Sequence, residues 1–228
     1  MRKILCVLML MSAITSCKIV HSVIELNRTR AKVYKYSLNG KEIRFIPMHH
    51  LGKKGFYEDV KKEVSLHKSQ GYRLYYELIS TDFKADSLQK DTIRRKVRKL
   101  KGFSGNYKEN AGGPFFSKYI QQPSYKELGS TPEDIRADVD YLQLVKEWEK
   151  TNGAIVLDSL DYAAPFSHKY SKVPFYTKRQ YNSIFIQYRN EQLINLLKSG
   201  SDQKILILYG AGHKSDFRKR LKRSNRTQ

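Results

Sequence analysis

The sequence predicts an α/β fold with a mixed central sheet and flanking helices, and three observations support this prediction. Segments typical of strands alternate along the chain with segments of helical apolar spacing. The segment 204–209 is almost wholly apolar, as in a strand that is covered on both faces. The chain has 228 residues, of which 40% are hydrophobic, and can therefore form the core of one domain or two small ones.

The elements follow from these patterns in chain order. Residues 80–150 would add a minor helical insertion on one side of the sheet. The predicted strands are 33–38, 42–46, 72–77 and 204–209. The predicted helices run from Phe56 to the stop at Gly71, and over 86–101, 132–150, 184–198 and 216–222.

Local signals define two of these elements. Asn39-Gly40 suits the two positive-φ positions of a type I′ turn and predicts a hairpin between the first two strands. The segment 131–134 (TPED) predicts a helix start with threonine as N-cap, and Asp138 and Asp140 then fall on the solvated face of that helix. Its buried stripe would be Ile135, Val139, Leu142, Val145 and Trp148.

The N-terminus predicts export and a lipid anchor. A basic start precedes an apolar run at 4–14, which is too short to span a bilayer and is typical of a secretory signal. The segment 14–17 (ITSC) resembles a bacterial lipobox, which implies cleavage before Cys17 and acylation of that residue. An ordinary signal peptide and a short buried helix are the alternatives.

The predicted product is a membrane-anchored lipoprotein of the bacterial cell envelope, located in the outer membrane or facing the periplasm. Its parts would be a signal peptide at 1–16, a lipidated tether at 17–30, an α/β domain at 31–222 and a basic tail at 223–228.

The charge of the chain indicates which partners to expect. Lys and Arg number 43 against 22 Asp and Glu, so the net charge is +21, and basic residues concentrate in the segments 84–101 and 214–228. Both segments are predicted to be surface features that contact anionic surfaces, membranes first. No nucleic-acid-binding motif is present, and the two cysteines, Cys6 and Cys17, exclude a disulfide scaffold.

Three ionisable residues follow three of the predicted strands. His50, Glu77 and His213 would meet at one edge of the sheet if these strands are neighbours and parallel, because open α/β sheets bind ligands at the carboxyl ends of their strands. Two imidazoles and a carboxylate suit a divalent metal, and they equally suit acid–base chemistry without one. For each histidine alone, a satisfied surface or capping role is the alternative.

The last strand leads into Gly210-Ala211-Gly212-His213. Glycine permits positive φ and a close backbone approach, so Gly210 and Gly212 are candidate substrate-binding residues whose N–H groups could face a ligand. The stretch lacks the Gly-Lys-Ser/Thr ending of a phosphate loop.

Four short motifs then suggest a family. They are 46–52 (IPMHHLG), 56–60 (FYEDV), 75–77 (YYE), and Arg189-Asn190 together with the segment 210–213 (GAGH). These motifs resemble the TraB/GumN family, whose wider group includes Tiki-like and PrgY-like proteins. The resemblance covers about residues 40–221.

The resemblance implies a peptidase-like, metal-dependent hydrolase acting on a peptide or another small substrate. His50, Glu77, His213 and Arg189 would be catalytic, and the first three would hold the metal. The Arg189 fork could bind a substrate carboxylate or an oxyanion, or it could simply pair with Glu77.

One position departs from the family pattern. Pro47 stands where the family's Gly-x-x-His motif has its glycine, and proline removes an N–H group and fixes φ. A non-catalytic binding lipoprotein that keeps the family pocket is therefore the alternative function. His49 competes with His50 as the inward histidine, and the motif spacing from Pro47 favours His50.

Overall fold

The structure, a computed structural model, describes residues 27–102, 117–166 and 176–226. The predicted signal peptide, Cys17 and most of the tether lie outside the described residues. The strands are β1 Tyr34–Leu38, β2 Lys41–Met48, β3 Leu51–Gly52, β4 Arg73–Tyr76, β5 Ile120–Gln121, β6 Ile135–Arg136 and β7 Lys204–Gly210.

The main sheet has five strands in the order β1-β2-β7-β4-β6. β1 runs antiparallel to β2, whereas β2, β7, β4 and β6 all run parallel to one another. The predicted mixed sheet is confirmed, as is the parallel adjacency of the strands that precede His50, His213 and Glu77. β3 and β5 form a separate antiparallel pair.

The predicted hairpin is also confirmed. Asn39 and Gly40 join β1 to β2 with φ of 52° and 79°, the positive values that a type I′ turn needs at both positions. Leu38 and Ile43, close to this turn, are fully buried. The turn therefore sets a register that places these side chains in the core.

Helices cover both faces of the sheet. Gly71, with φ of 84°, follows the first helix as predicted, and Gly102 ends the second in the left-handed conformation. The helices are α1 Lys54–Ser69, α2 Ser87–Lys101, α3 Tyr141–Asn152, α4 Ser159–Ala163, α5 Lys178–Asn182, a π-helix Ser183–Tyr188, α6 Arg189–Ser199, a 3₁₀ turn Ala211–His213 and α7 Lys214–Ser224. α7 extends two residues into the predicted tail at 223–228.

The helix predicted from residue 132 is wrong in its first nine residues. Asp134 is held by Lys68 at 2.7 Å and by the backbone N–H of Leu74, which ties the segment to α1 and β4. Ile135 then continues as β6, so the insertion contributes a strand to the sheet. The helix begins only at α3, where Asp140 forms a capping box with Gln143.

Within the part of the chain that the structure describes, the buried apolar residues form three clusters. One lies between the sheet and α6 and α7, and a second between the sheet and α1. The third, around Trp148, joins α2, α3 and the π-helix away from the sheet. The predicted helical insertion therefore has a hydrophobic core of its own. Within the described residues, no helix combines the length and apolar character needed to cross a membrane.

The basic helix α2 is not wholly a surface feature, contrary to the prediction for 84–101. Arg98 is 1% exposed and donates to the carbonyl oxygens of Asp161, Ala164 and Pro165. α7 fits the prediction better, since Arg218, Lys219 and Lys222 remain exposed.

Candidate active site

The carboxyl edge of the sheet, where the four parallel strands end, gathers a polar residue from each strand. β2 is followed by His49 and His50, β4 by Glu77, β6 by Asp138 and β7 by His213. Arg189, the first residue of α6, joins three of them: Glu77, Asp138 and His213. We call Glu77, Asp138, Arg189 and His213 the charged cluster.

Arg189 uses all of its hydrogen-bonding capacity inside the protein. Its guanidinium has five N–H donors. Nη2 donates to Glu77 Oε1 at 2.6 Å and to Asp138 Oδ2 at 2.6 Å, and Nε donates to Asp138 Oδ1 at 2.9 Å. Nη1 donates to the Phe185 carbonyl and to His213 Nε2, both at 3.2 Å. The ion pair with Glu77, one of the two predicted roles of Arg189, is therefore present.

Glu77 is held in its ionised form. Its Oε1 accepts from Arg189, and its Oε2 accepts from the backbone N–H of Gly210. Burial alone would raise the pKa of Glu77, but Arg189, His213 and the Gly210 N–H together lower it to about 2. A carboxylate with this pKa is a weak base, so its contribution at neutral pH is negative charge.

The tautomer of His213 follows from its neighbours. Asn190 donates through Nδ2 to the His213 carbonyl and to Asp216, so its Oδ1 is the acceptor for His213 Nδ1 at 2.9 Å. His213 Nδ1 therefore carries the proton, and Nε2 accepts from Arg189. Burial, opposed by Glu77, lowers the pKa of His213 to about 4, so the ring is neutral at pH 7.

Two local features of the backbone build this arrangement. The π-helix ends at Tyr188, directly before Arg189, and such wide turns are frequent at functional sites. At Gly210, a Cβ atom would lie 2.9 Å from Glu77 Oε2, so glycine is needed for the close approach of the carboxylate.

The two glycines differ from their predicted use. Neither Gly210 nor Gly212 has a positive φ, and the Gly210 N–H faces Glu77. A Cβ atom at Gly212 would make an ordinary contact of 3.7 Å with Ile186. Their predicted contact with a substrate stays a prediction.

His50 lies at the edge of the charged cluster and is exposed to solvent. The protein packed around its ring lowers the pKa of His50, Glu77 opposes this shift, and Lys101, Arg189 and His49 reinforce it. His50 is therefore neutral at pH 7 and lies within the electrostatic reach of Glu77. The backbone carbonyl of His50 accepts from Gln122 at 2.9 Å, which fixes this segment beside β5.

The donor atoms of the predicted metal site are engaged by other groups. His213 Nε2 and Glu77 Oε1 lie 3.6 Å apart, close enough to share an ion, but both accept from the Arg189 guanidinium. A metal on these two atoms would have to displace that cation. Within the described residues, no group of three His, Cys, Asp or Glu side chains is arranged to hold a metal ion.

Sequence reasoning missed two residues of this site. The sequence pattern predicts a solvated helix face for Asp138, but its side chain is 0% exposed and pairs with Arg189. Asn190 was noted only as part of a motif, although it fixes the tautomer of His213. The available signal for Asp138 was its place just after Ile135-Arg136-Ala137, a short segment with a β-branched residue, equivalent to that of Glu77 after β4.

Comparison of the chain with protein-family models, curated proteins and solved structures found no match.

Proposed function

We propose that this protein is an exported, lipid-anchored hydrolase of the TraB/GumN type with a peptidase-like activity at the carboxyl edge of its sheet. The observation that carries this proposal is the meeting of Glu77, Asp138 and His213 around Arg189, next to an exposed and neutral His50. Residues from four strand ends at one sheet edge are typical of ligand and active sites in open α/β folds.

In this proposal His50 is the general base. Its neutral imidazole takes a proton from water, the water oxygen attacks the substrate carbonyl carbon, and the proton then passes to the leaving amine. Glu77 stabilises the imidazolium that forms on His50, because its charge already opposes the lowered pKa of that ring. Arg189, Asp138 and His213 are positioning residues that keep Glu77 ionised and in place.

The test uses the full-length protein, extracted from membranes, with quenched fluorescent casein and p-nitrophenyl acetate as probes. We expect His50→Ala to reduce kcat by about 10²–10⁴-fold, the usual contribution of a general base. His49→Ala is the matched control and should retain activity. The rate should fall as pH drops through the lowered pKa of His50. Equal losses in both variants would remove His50 as the base.

If the same hydrolase depends on a metal, its activity should respond differently to chelation. If a divalent ion replaces Arg189 between Glu77 and His213, chelation should abolish the activity and Zn²⁺ or Mn²⁺ should restore it. Unchanged activity after dialysis against a chelator would favour the mechanism in which His50 acts without a metal.

A non-catalytic binding lipoprotein is the second candidate. The observation that favours it is the full internal use of the Arg189 donors, together with Pro47 in place of the family glycine. Hydrolysis of neither probe by the wild-type protein, with a well-folded domain, would favour this candidate.

The lipid anchor has its own test. The segment 14–17 supports cleavage before Cys17 and acylation of its side chain. Intact mass of membrane-extracted protein should show loss of residues 1–16 and added lipid mass. Cys17→Ser should release the protein from the membrane fraction, whereas Cys6→Ser, the matched control, should not. An unmodified Cys17 would contradict the anchor.

A further inference from the structure

A small pocket lies beside the charged cluster, where β1, the end of β2 and the start of α7 meet. Its volume is about 180 Å³. Pro47 and Ala211 line it from the ends of β2 and β7, so it shares the turn that carries His213. Its polar lining residues are Arg28, Lys32, Tyr34, His49, Lys214 and Ser215. We call it the basic pocket.

The basic pocket has an excess of positive charge. Among the residues that the structure describes, no aspartate or glutamate lines it, and none forms an ion pair with Lys32 or Lys214. The two lysines face the same tyrosine instead. Lys32 Nζ lies 5.1 Å from the centre of the Tyr34 ring and Lys214 Nζ lies 4.2 Å from it.

The hydrogen bonding and the pKa of Tyr34 reflect the positive charge of these two lysines. Lys214 Nζ donates to its hydroxyl oxygen at 3.0 Å. Burial raises the pKa of Tyr34, but the two ammonium groups outweigh burial, so the pKa lies below its ordinary value. Two cations that share one neutral phenol repel each other, and an anion between them would remove that repulsion.

We propose that the basic pocket binds a phosphate group. Lysine ammonium and arginine guanidinium groups are the side chains that proteins use for phosphate, and guanidinium can bind it through two parallel hydrogen bonds. The hydroxyl groups of Tyr34 and Ser215 can donate to the remaining oxygens. A single carboxylate would neutralise less of this charge than a phosphate does.

The phosphate can come from a soluble phosphate compound or from a lipid headgroup. Asn27, the first described residue, is ten positions after Cys17 in the sequence. Ten residues span at most about 35 Å, so a lipid on Cys17 would keep the basic pocket near the membrane surface. Only this choice of source rests on the proposed anchor, whereas the phosphate site does not depend on the proposed hydrolase.

The experiment compares two variants of the full-length protein that lose the same charge. Lys32→Gln/Lys214→Gln removes the two pocket lysines, and Lys219→Gln/Lys222→Gln removes two exposed lysines of α7. Binding of inorganic phosphate is measured by calorimetry, and binding to vesicles of phosphatidylcholine with and without phosphatidylglycerol is measured by sedimentation. Lys32→Arg/Lys214→Arg keeps the charge and should keep binding.

We expect the Kd for inorganic phosphate to rise at least about tenfold in the pocket variant and to stay within about twofold in the α7 variant. If the pocket variant loses binding only to vesicles that contain phosphatidylglycerol, the site is supported and a lipid headgroup is identified as the source. The proposal would be overturned if the two glutamine variants bind phosphate and vesicles equally well while their unfolding curves show that both are folded.

Discussion

The charged cluster and the basic pocket lie on neighbouring parts of the same sheet edge, yet the charges of the cluster are paired inside the protein and those of the pocket are not. In the charged cluster, Arg189 is 5% exposed and pairs with two carboxylates at 2.6 Å. In the basic pocket, Lys32 is exposed and Lys214 half-buried, and neither pairs with a carboxylate of the described chain. The first arrangement contributes to folding, whereas the second leaves its charge available to a ligand.

The difference follows from desolvation. A buried ion loses its hydration and is tolerated only while its partners stay in place, so removing one partner leaves a buried, uncompensated charge. A solvated lysine keeps its water, and its loss removes little stability. Variants in the two regions should therefore separate loss of folding from loss of binding.

The largest effect is expected for Arg189→Met. It leaves the carboxylates of Glu77 and Asp138 buried without a cation, and such losses cost about 3–5 kcal/mol of unfolding free energy. Urea denaturation followed by circular dichroism measures this quantity. Arg218→Met, the control, removes an exposed arginine of α7 and should change it by less than about 0.5 kcal/mol.

A second variant tests the reason for that loss. Arg189→Met/Asp138→Asn/Glu77→Gln removes the stranded charges as well as the cation, so it should be less destabilised than Arg189→Met alone. A triple variant that is as unstable as the sum of its parts would mean that the cluster acts through packing.

The second-largest loss of folding stability is expected at acidic pH, where His213 and Glu77 of the charged cluster titrate. Folded His213 has a pKa of about 4 against 6.5 when unfolded, so the unfolded chain binds the extra proton between these pH values. The free energy of unfolding therefore falls as pH drops from 6.5 to 4, by about 3 kcal/mol at most. Glu77, with its pKa lowered from 4.5 to about 2, adds a further loss below pH 4.5.

The measurement is a series of urea unfolding curves between pH 7 and pH 4. His213→Gln cannot titrate, so its stability should depend less on pH in that range. Parallel pH profiles for the wild type and His213→Gln would show that His213 does not titrate differently in the folded state.

The sequence predicted the framework of the fold better than the surroundings of the site. The Asn39-Gly40 hairpin and the buried strand at 204–209 are determined by local backbone and solvation preferences, which residues display in sequence. β6 escaped prediction because it is only two residues long and because Asp134, its anchor, is bound by Lys68, 66 positions away. Such contacts between distant residues leave no local pattern.

The candidate site shows the same division. The carboxyl-edge positions of Glu77 and His213 followed from the predicted strands, and their 3.6 Å separation confirms that they meet. The role of Asp138 did not follow, because the error at β6 placed this residue on a helix. Two of the Arg189 hydrogen bonds go to Asp138. The sequence therefore could not predict that every N–H donor of the guanidinium is used inside the protein.

A smaller loss is expected for Asn190→Ala. Asn190 is 0% exposed and satisfies both His213 Nδ1 and the His213 carbonyl. Its removal leaves these buried groups without that partner, which costs about 1–3 kcal/mol. Thermal unfolding measures this loss, with Gln187→Ala, which truncates an exposed amide side chain of the π-helix, as control. A loss no larger than that of the control would contradict the role of Asn190 in holding His213.

The smallest change in stability is expected for Lys32→Gln/Lys214→Gln, although this variant should lose phosphate binding. It removes two cations that repel each other across Tyr34 and loses one hydrogen bond, from Lys214 to the Tyr34 hydroxyl. These opposing effects should leave the unfolding free energy within about 0.5 kcal/mol of the wild type in phosphate-free buffer. Added phosphate should then raise the unfolding midpoint of the wild type and not that of the variant, because a ligand stabilises only the folded state that binds it. A loss above about 2 kcal/mol without phosphate would mean that the lysines of the basic pocket support folding as the charged cluster does.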